Sequence, residues 1–138
     1  MREIKFRGKY GNNPSLYGSL VTRNRNNNGI QERNSSAAIL VDDGSIGQYT
    51  GMKDSTGKEI YEGDIILDDS YGEDVGRLVD VVVWGNELGA WVWKTDNTAL
   101  IAQSIDTIEV VGNIYDNPEL LGGADSASGG DETDGAER

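Results

Sequence analysis

The sequence predicts a mainly β protein, in which an N-terminal hairpin packs on a small, SH3-like, partly open β-barrel, followed by a short C-terminal helical turn and a disordered acidic tail. Short apolar stretches with strand periodicity recur between residues 4 and 113, turns rich in glycine, asparagine and aspartate separate them, and no large apolar side chain follows residue 121. The length of 138 residues suits a single domain. We place this domain at 1–121, with an N-terminal sub-lobe over about 1–45 and a barrel-like part over 46–121, and the tail at 122–138.

The first elements are short strands joined by turns. Residues 4–7 alternate apolar with basic side chains, the pattern of a half-buried strand, and residues 16–22 are the expected partner strand in a hairpin. Residues 24–36 are polar and rich in asparagine, which predicts a mobile loop. Residues 37–41 and 46–50 are short strands on either side of an Asp-Asp-Gly-Ser turn.

Within the barrel-like part, a turn follows at residues 53–58, in which Gly57 suits a left-handed backbone conformation. A glycine and an aspartate then lead into an apolar strand at 65–67. Residues 79–84 and 90–94 read as two further strands around a glycine-containing turn. Strands that follow one another in this way predict the meander of a small barrel.

The C-terminal elements vary in type. Residues 99–104 fit either a strand or a short helical turn, whereas residues 108–113 have the pattern of a strand. Asn117 is a favoured N-cap residue and Pro118 a favoured first helical residue, so a single helical turn should follow. The tail at 122–138 has too few apolar groups for burial to offset the entropy of ordering it, which predicts disorder.

Three blocks of the sequence resemble a known family: residues 2–9, residues 47–66, where a strand, a glycine-rich turn and a second strand follow one another, and residues 108–121. In this order they resemble the YopX family of small proteins carried by bacteriophages and prophages, over about residues 2–121. The resemblance implies an accessory protein that acts by binding inside a bacterial host. The positions to which we assign a structural role in this motif are Gly47, Tyr49, Gly51, Gly57, Gly63, Asp64, Gly112, Asn113, Asn117 and Pro118.

The composition argues against most catalytic chemistry. The chain contains neither cysteine nor histidine, which excludes thiolate nucleophiles, histidine bases, disulfides and nearly all zinc sites. The acidic segment 68–74 lacks the residue spacing of an EF-hand calcium loop. Segment 51–58 resembles a phosphate loop, but its lysine leads into a strand, whereas a phosphate loop leads into a helix. We therefore expect no enzyme activity, no cofactor and no metal.

Hydropathy and charge limit the partners. The longest apolar run is about five residues and the chain starts with a charged strand, so we expect a cytoplasmic protein that does not engage membranes. The net charge is −12, but residues 1–41 hold seven basic and two acidic groups, a net of +5, and the other 97 residues hold five basic and 22 acidic groups, a net of −17. An acidic body repels phosphate backbones, which argues against general nucleic-acid binding.

A basic stripe is the first candidate for binding. Lys5, Arg7 and Lys9 would share one face of a strand and could hold a phosphate or an acidic partner. Alternatively, the stripe pairs with this protein's own abundant acids, which is the interpretation we favour.

The three tryptophans are the second candidate. Trp84, Trp91 and Trp93 could stack on a base or anchor a partner, or they could fill the core, which we favour. The function we expect is that of a non-catalytic interaction module that assembles with itself or engages a host or phage protein. Self-association would place residues 79–84 and the indoles at its centre and the basic stripe at its rim.

The alternative function is a sponge for a small nucleotide signal of bacterial defence. One of the three basic side chains would neutralise phosphate, and a tryptophan would stack on the base.

Overall fold

The computed structural model describes residues 3–24, 27–68, 78–100 and 105–121, and within these ranges the chain is mainly β, as predicted. The strands are β1 (Phe6–Gly8), β2 (Leu16–Asn24), β3 (Asn27–Glu32), β4 (Ile39–Leu40), β5 (Gly47–Lys53), β6 (Glu59–Tyr61), β7 (Asp64–Asp68), β8 (Leu78–Gly85), β9 (Ala90–Trp93) and β10 (Ile108–Asn113). Single 3-10 turns lie at Asp43–Ser45 and Ile105–Thr107. The predicted tail at 122–138 lies outside the described residues.

The N-terminal strands form a six-stranded antiparallel sheet in the order β4-β3-β2-β1-β5-β6. The predicted first hairpin is confirmed, with Phe6 opposite Gly18 across β1 and β2. Strand β1 also pairs with β5, where Phe6 lies opposite Gln48. Strand β1 is therefore an inner strand of the sheet. It connects β2, from the N-terminal sub-lobe, with β5, from the barrel-like part.

The expectation of a mobile loop at residues 24–36 is wrong for most of that segment. Residues 27–32 form β3, which pairs with β2 from Gly18 opposite Glu32 to Thr22 opposite Asn28. One apolar side chain, Ile30, is fully buried and anchors the strand. Backbone pairing on both sides, to β2 and to β4, satisfies the polar groups of a strand that has little apolar periodicity of its own. Residues 25 and 26 lie outside the described part of the chain.

The second sheet has four antiparallel strands in the order β10-β7-β8-β9. It confirms the predicted meander, because Ile65 of β7 lies opposite Val81 of β8, and Trp84 of β8 lies opposite Trp91 of β9. The strand predicted at 108–113 is confirmed as β10. Of the ambiguous segment 99–104, the described Ala99 makes a bridge to Val92 of β9.

The two sheets meet across a buried core and curl into a half-barrel, in agreement with the partly open barrel that the sequence predicts. Gly63, between β6 and β7, joins the layers: its N–H donates to the carbonyl oxygen of Val82 at 2.8 Å, and its own carbonyl accepts from the N–H of Ile114 at 2.9 Å. Its φ of 88° is in the left-handed region that favours glycine. The principal buried cluster consists of Ile60, Ile66, Val82, Trp93, Leu100, Ile108 and Val110.

Two turns match their predictions. Gly57 has a φ of 91° in the turn at 53–58, as its position in the sequence indicates. The helical turn after Pro118 covers residues 119–121, and the N–H of Leu120 donates to the carbonyl oxygen of Asn117. The side-chain oxygen of Asn117 accepts a hydrogen bond from the N–H of Asn113 at 3.2 Å, so this residue ties the turn to the end of β10.

Candidate functional site: an aromatic groove beside a basic strand

The three basic side chains of the stripe each lie beside a carboxylate of this same chain. The ion pairs, each with 2.7 Å between nitrogen and oxygen, are Lys5 with Glu59, Arg7 with Asp64, and Lys9 with Asp116. Each cation also lies over a tyrosine ring, at 5.3 Å for Lys5 and Tyr49, 5.0 Å for Arg7 and Tyr61, and 5.8 Å for Lys9 and Tyr115. The stripe thus has the internal pairing that we favour from the sequence.

Sequence reasoning did not identify the partners of the stripe. Lys9 and Asp116 are 107 positions apart, so no local pattern connects them. Glu59 and Tyr61 are a partial exception, because they alternate with the buried Ile60 along β6 and so could have been placed together by period-two spacing.

The Arg7–Asp64 pair is the most buried of the three, with 1% of the Asp64 side chain and 11% of the Arg7 side chain exposed. Oδ2 of Asp64 accepts a hydrogen bond from the N–H of Tyr61 at 2.7 Å. Burial raises the pKa of Asp64, and the neighbouring Arg7 guanidinium acts in the opposite direction. Asp64 therefore links β6, β7 and β1 at the junction of the two sheets.

Asp54 is a buried carboxylate that our list of sequence candidates omits. Its Oδ1 accepts from the N–H of Thr56 at 2.8 Å, from Oγ1 of Thr56 at 2.7 Å and from the N–H of Lys58 at 2.9 Å, while Oδ2 accepts from the N–H of Val110 at 2.8 Å. Burial raises the pKa of Asp54, but these hydrogen bonds outweigh it and leave the pKa below its ordinary value. The Asp-Ser-Thr-Gly sequence is a recognisable aspartate turn and could have revealed the local half of this network.

The tryptophans comprise one core residue, one partly buried residue and one exposed residue. Trp93 is 6% exposed and belongs to the core, whereas Trp84 is 44% exposed. Trp91 is partly buried and packs against the core cluster. The rings of Trp84 and Trp91 meet edge to face, with centroids 5.0 Å apart. The favoured core location thus describes Trp93 but not Trp84.

Trp84 and Trp91 form one wall of a groove with a volume of about 510 Å³, which we call the aromatic groove. The opposite wall comes from β5, through Tyr49 and Met52. A bulge shapes this wall: Gly51 has a φ of 89°, and the register between β5 and β6 shifts between Tyr49 and Lys53.

The mouth of the aromatic groove carries negative charge. Glu3 lines the groove, and Nζ of Lys5 lies 3.5 Å from Glu3 and 2.7 Å from Glu59. The hydrogen bond to Glu59 raises the pKa of Lys5; burial acts to raise the pKa of Glu59, but Lys5 keeps it below its ordinary value. One ammonium therefore faces two carboxylates, and a net negative charge remains beside the tryptophans.

Metal binding and membrane spanning are two further possibilities for the described part of the chain. Among those residues, no group of three or more metal-ligating side chains could hold a metal ion. Most of the acidic segment 68–74 falls outside the described residues, which omit 69–77. No helix within the described ranges is long and apolar enough to cross a membrane.

The curled half-barrel, its ion-paired first strand and its surface groove define a small, mainly β protein with an open aromatic face. The chain belongs to the YopX family, because the model of the family described as YopX protein matches residues 5–122. This confirms the resemblance carried by the three sequence blocks.

Two solved structures share the fold. Protein EF1440 from Enterococcus faecalis has a TM-score of 0.61 and 22% identity, and the match covers 88% of this chain and 99% of that chain. Protein YopX from Bacillus subtilis has a TM-score of 0.60 and 22% identity, over 88% of this chain and 97% of that chain. No curated protein matches the chain in sequence.

Proposed function

We propose that this YopX-family chain is a non-catalytic binding protein of a phage or prophage, which acts in the cytoplasm of the bacterial host by engaging a protein partner through the aromatic groove. The observation that carries the proposal is the exposure of Trp84 beside Trp91, above a largely apolar groove. Large aromatic side chains at the centre of a concave, partly apolar surface are the usual anchors of protein interfaces.

The residues available for chemistry support binding over catalysis. The chain has no histidine or cysteine to act as base or nucleophile. Asp54, Glu59 and Asp64 are buried or partly buried carboxylates, and each is engaged by ion pairs or hydrogen bonds that hold the fold together. Their roles are accounted for without a substrate.

The charge of the groove favours a protein partner over a nucleotide. A phosphate entering the groove would approach Glu3, while Arg7 and Lys9 are engaged with Asp64 and Asp116. Lys5 contacts two carboxylates already. Among the described residues, no lysine or arginine lines the aromatic groove and each cation of the stripe has a partner in this chain, which argues against the nucleotide-sponge alternative.

The experiment is a comparison of two surface substitutions in a capture assay. Trp84→Ala removes the exposed indole of the groove, and Val111→Ala removes an exposed apolar side chain, 39% accessible, on β10 at the edge of the four-stranded sheet away from β9. Tagged protein is expressed in bacteria that carry the phage, and captured proteins are identified by mass spectrometry. We expect a defined partner to be lost with Trp84→Ala and retained with Val111→Ala. Equal capture by both variants, or recovery of a nucleotide in place of a protein, would contradict the proposal.

A further inference from the structure

We propose that the partner of the aromatic groove is a second copy of this chain, which docks the face of its β2–β3 hairpin that carries Val21, Arg23 and Leu40. This inference rests on the proposed function, since it names the occupant of the same groove. It assigns a specific surface, called the hairpin face below, to the other side of the contact.

The hairpin face is a hollow of mixed polarity with one cation, lined by Val21, Arg23, Asn27, Gly29, Ala38 and Leu40. It has a volume of about 360 Å³ and lies next to the edge strand β4. Val21 and Ala38 supply apolar lining, Leu40 is 53% exposed, and Arg23 lies exposed at the rim two residues beyond Val21 on β2. An edge strand with exposed apolar side chains needs a cover to avoid indiscriminate pairing.

The charge of Arg23 is available to a partner. Among the described residues, the ion pairs of the N-terminal third involve Lys5, Arg7 and Lys9, whereas Arg23 and Arg33 form none. Of the described basic residues in 1–41, Arg23 on β2 and Arg33 just after β3 are therefore the two without an ion pair. A cation that forms no ion pair with the described residues can be neutralised across an interface.

The aromatic groove is the complement of this face in charge, and both surfaces include apolar side chains. Its mouth holds Glu3, whose side chain is 61% exposed, and Lys5 neutralises only one of the two carboxylates there. A guanidinium is attracted to an indole face as well as to a carboxylate, so Arg23 can use Trp84 and Glu3 together. Leu88, which is 59% exposed and precedes the groove residue Gly89, can contact the apolar side chains in the hollow of the other copy.

The two surfaces lie in different parts of one chain, which determines the kind of assembly. The hairpin face belongs to β2, β3 and β4, whereas the groove lies between β5 and β9, and β1 separates β2 from β5 in the sheet. A contact between two unlike surfaces is head-to-tail. It repeats from copy to copy and produces a closed ring or an open chain, not an isologous dimer.

The test uses charge reversals at each surface, with the mass in solution measured by sedimentation velocity and light scattering at low salt. We expect the mass of the wild type to rise with protein concentration. Arg23→Glu and Glu3→Lys should each weaken association by roughly tenfold or more, because each puts like charges together across the contact. Arg33→Glu makes the same change of net charge on an exposed residue outside the hollow and should leave association unchanged.

Mixing the two disrupted variants gives the decisive result. The Glu3→Lys chain keeps a working hairpin face and the Arg23→Glu chain keeps a working groove, so an equimolar mixture should form a complex of two chains that grows no further. Added salt should dissociate this complex, because charges are screened within about 8 Å at physiological ionic strength. Circular dichroism checks that each variant is folded, and Trp84→Ala is a second disruption of the groove that leaves Glu3 in place.

Three outcomes would overturn the inference: a wild type that stays monomeric at the highest attainable concentration, a mixture that stays monomeric, or an effect of Arg33→Glu equal to that of Arg23→Glu. The proposed function fails separately. If the wild type is monomeric while capture of another protein still depends on Trp84, the groove binds that protein and self-docking is wrong. If the wild type is monomeric and capture is independent of Trp84, both ideas are wrong.

Discussion

Asp54 ties the turn at 53–58 to β10, so replacing it by asparagine should destabilise the fold. Asparagine has the same shape but only one acceptor oxygen. If that oxygen keeps the bonds from Thr56 and Lys58, the amide NH2 faces the N–H of Val110, and a buried donor loses its acceptor. The loss of a charge-assisted hydrogen bond and the unsatisfied donor together amount to about 2–3 kcal/mol.

Urea denaturation followed by tryptophan fluorescence measures this change, because the buried Trp93 reports on the core. Thermal unfolding should agree, with a midpoint lower by about 8–12 °C if each kcal/mol corresponds to about 4 °C in a chain of this size. Glu109→Gln is the matched control: it makes the same kind of substitution at the exposed neighbour of Val110 and should change the free energy of unfolding by less than about 0.5 kcal/mol.

The pH dependence separates the charge of Asp54 from its shape. Because its hydrogen bonds leave the pKa of Asp54 below the ordinary value, the carboxylate contributes stability above that value and loses this contribution as the pH falls below about 4. The difference between wild type and Asp54→Asn should therefore be largest at neutral pH and shrink towards pH 3. Equal stabilities at neutral pH, or a difference that does not shrink in acid, would refute this reasoning.

Three further substitutions or deletions test the architecture. Gly63→Ala should lower the free energy of unfolding by about 1–2 kcal/mol, because the φ of 88° is unfavourable for an L side chain. In the same urea titration Gly44→Ala should have little effect, because a Cβ at that position meets open space. Asp64→Asn should lower the free energy of unfolding by about 3 kcal/mol, because it leaves a buried guanidinium without its carboxylate. Adding Arg7→Met to the Asp64→Asn chain should recover part of this loss, and additive effects of the two substitutions would contradict the pairing. Deletion of residues 122–138 should leave the thermal midpoint within about 2 °C, because no large apolar group is removed, and a larger fall would show that the tail contributes to the fold.

Local signals account for the elements that the sequence predicts correctly. The β8–β9 hairpin and the turn at 53–58 combine apolar strands with glycine-containing turns, so neighbouring residues specify them. Strand β3 differs, because Asn27–Glu32 has one buried apolar anchor, Ile30, and is held by backbone pairing to strands on both sides. Composition alone does not indicate such pairing, so the sequence of this segment predicts a loop.

The candidate site was predictable in its residue types and not in its arrangement. Trp91 and Trp93 share a face of β9 in any period-two scheme, yet Trp93 is buried and Trp91 borders the groove, because the partners of that face change along the strand. The bulge at Gly51, which forms the opposite wall, depends on the register between β5 and β6. Register is a property of the assembled sheet and is not specified by the residues of one strand.

The pairing of β1 determines where this protein can present charge to a partner. The basic residues that the sequence predicts as a binding stripe are Lys5, Arg7 and Lys9. The carboxylates and tyrosine rings that they contact hold them within the fold. Their neutralisation leaves Arg23 as the cation that lines the hollow beside β4, and the sharing of Lys5 between two carboxylates leaves Glu3 at the mouth of the groove. The proposed contact between copies thus follows from the internal ion pairs. These pairs neutralise the charges of β1 and leave Arg23 and Glu3 able to interact with another copy of the chain.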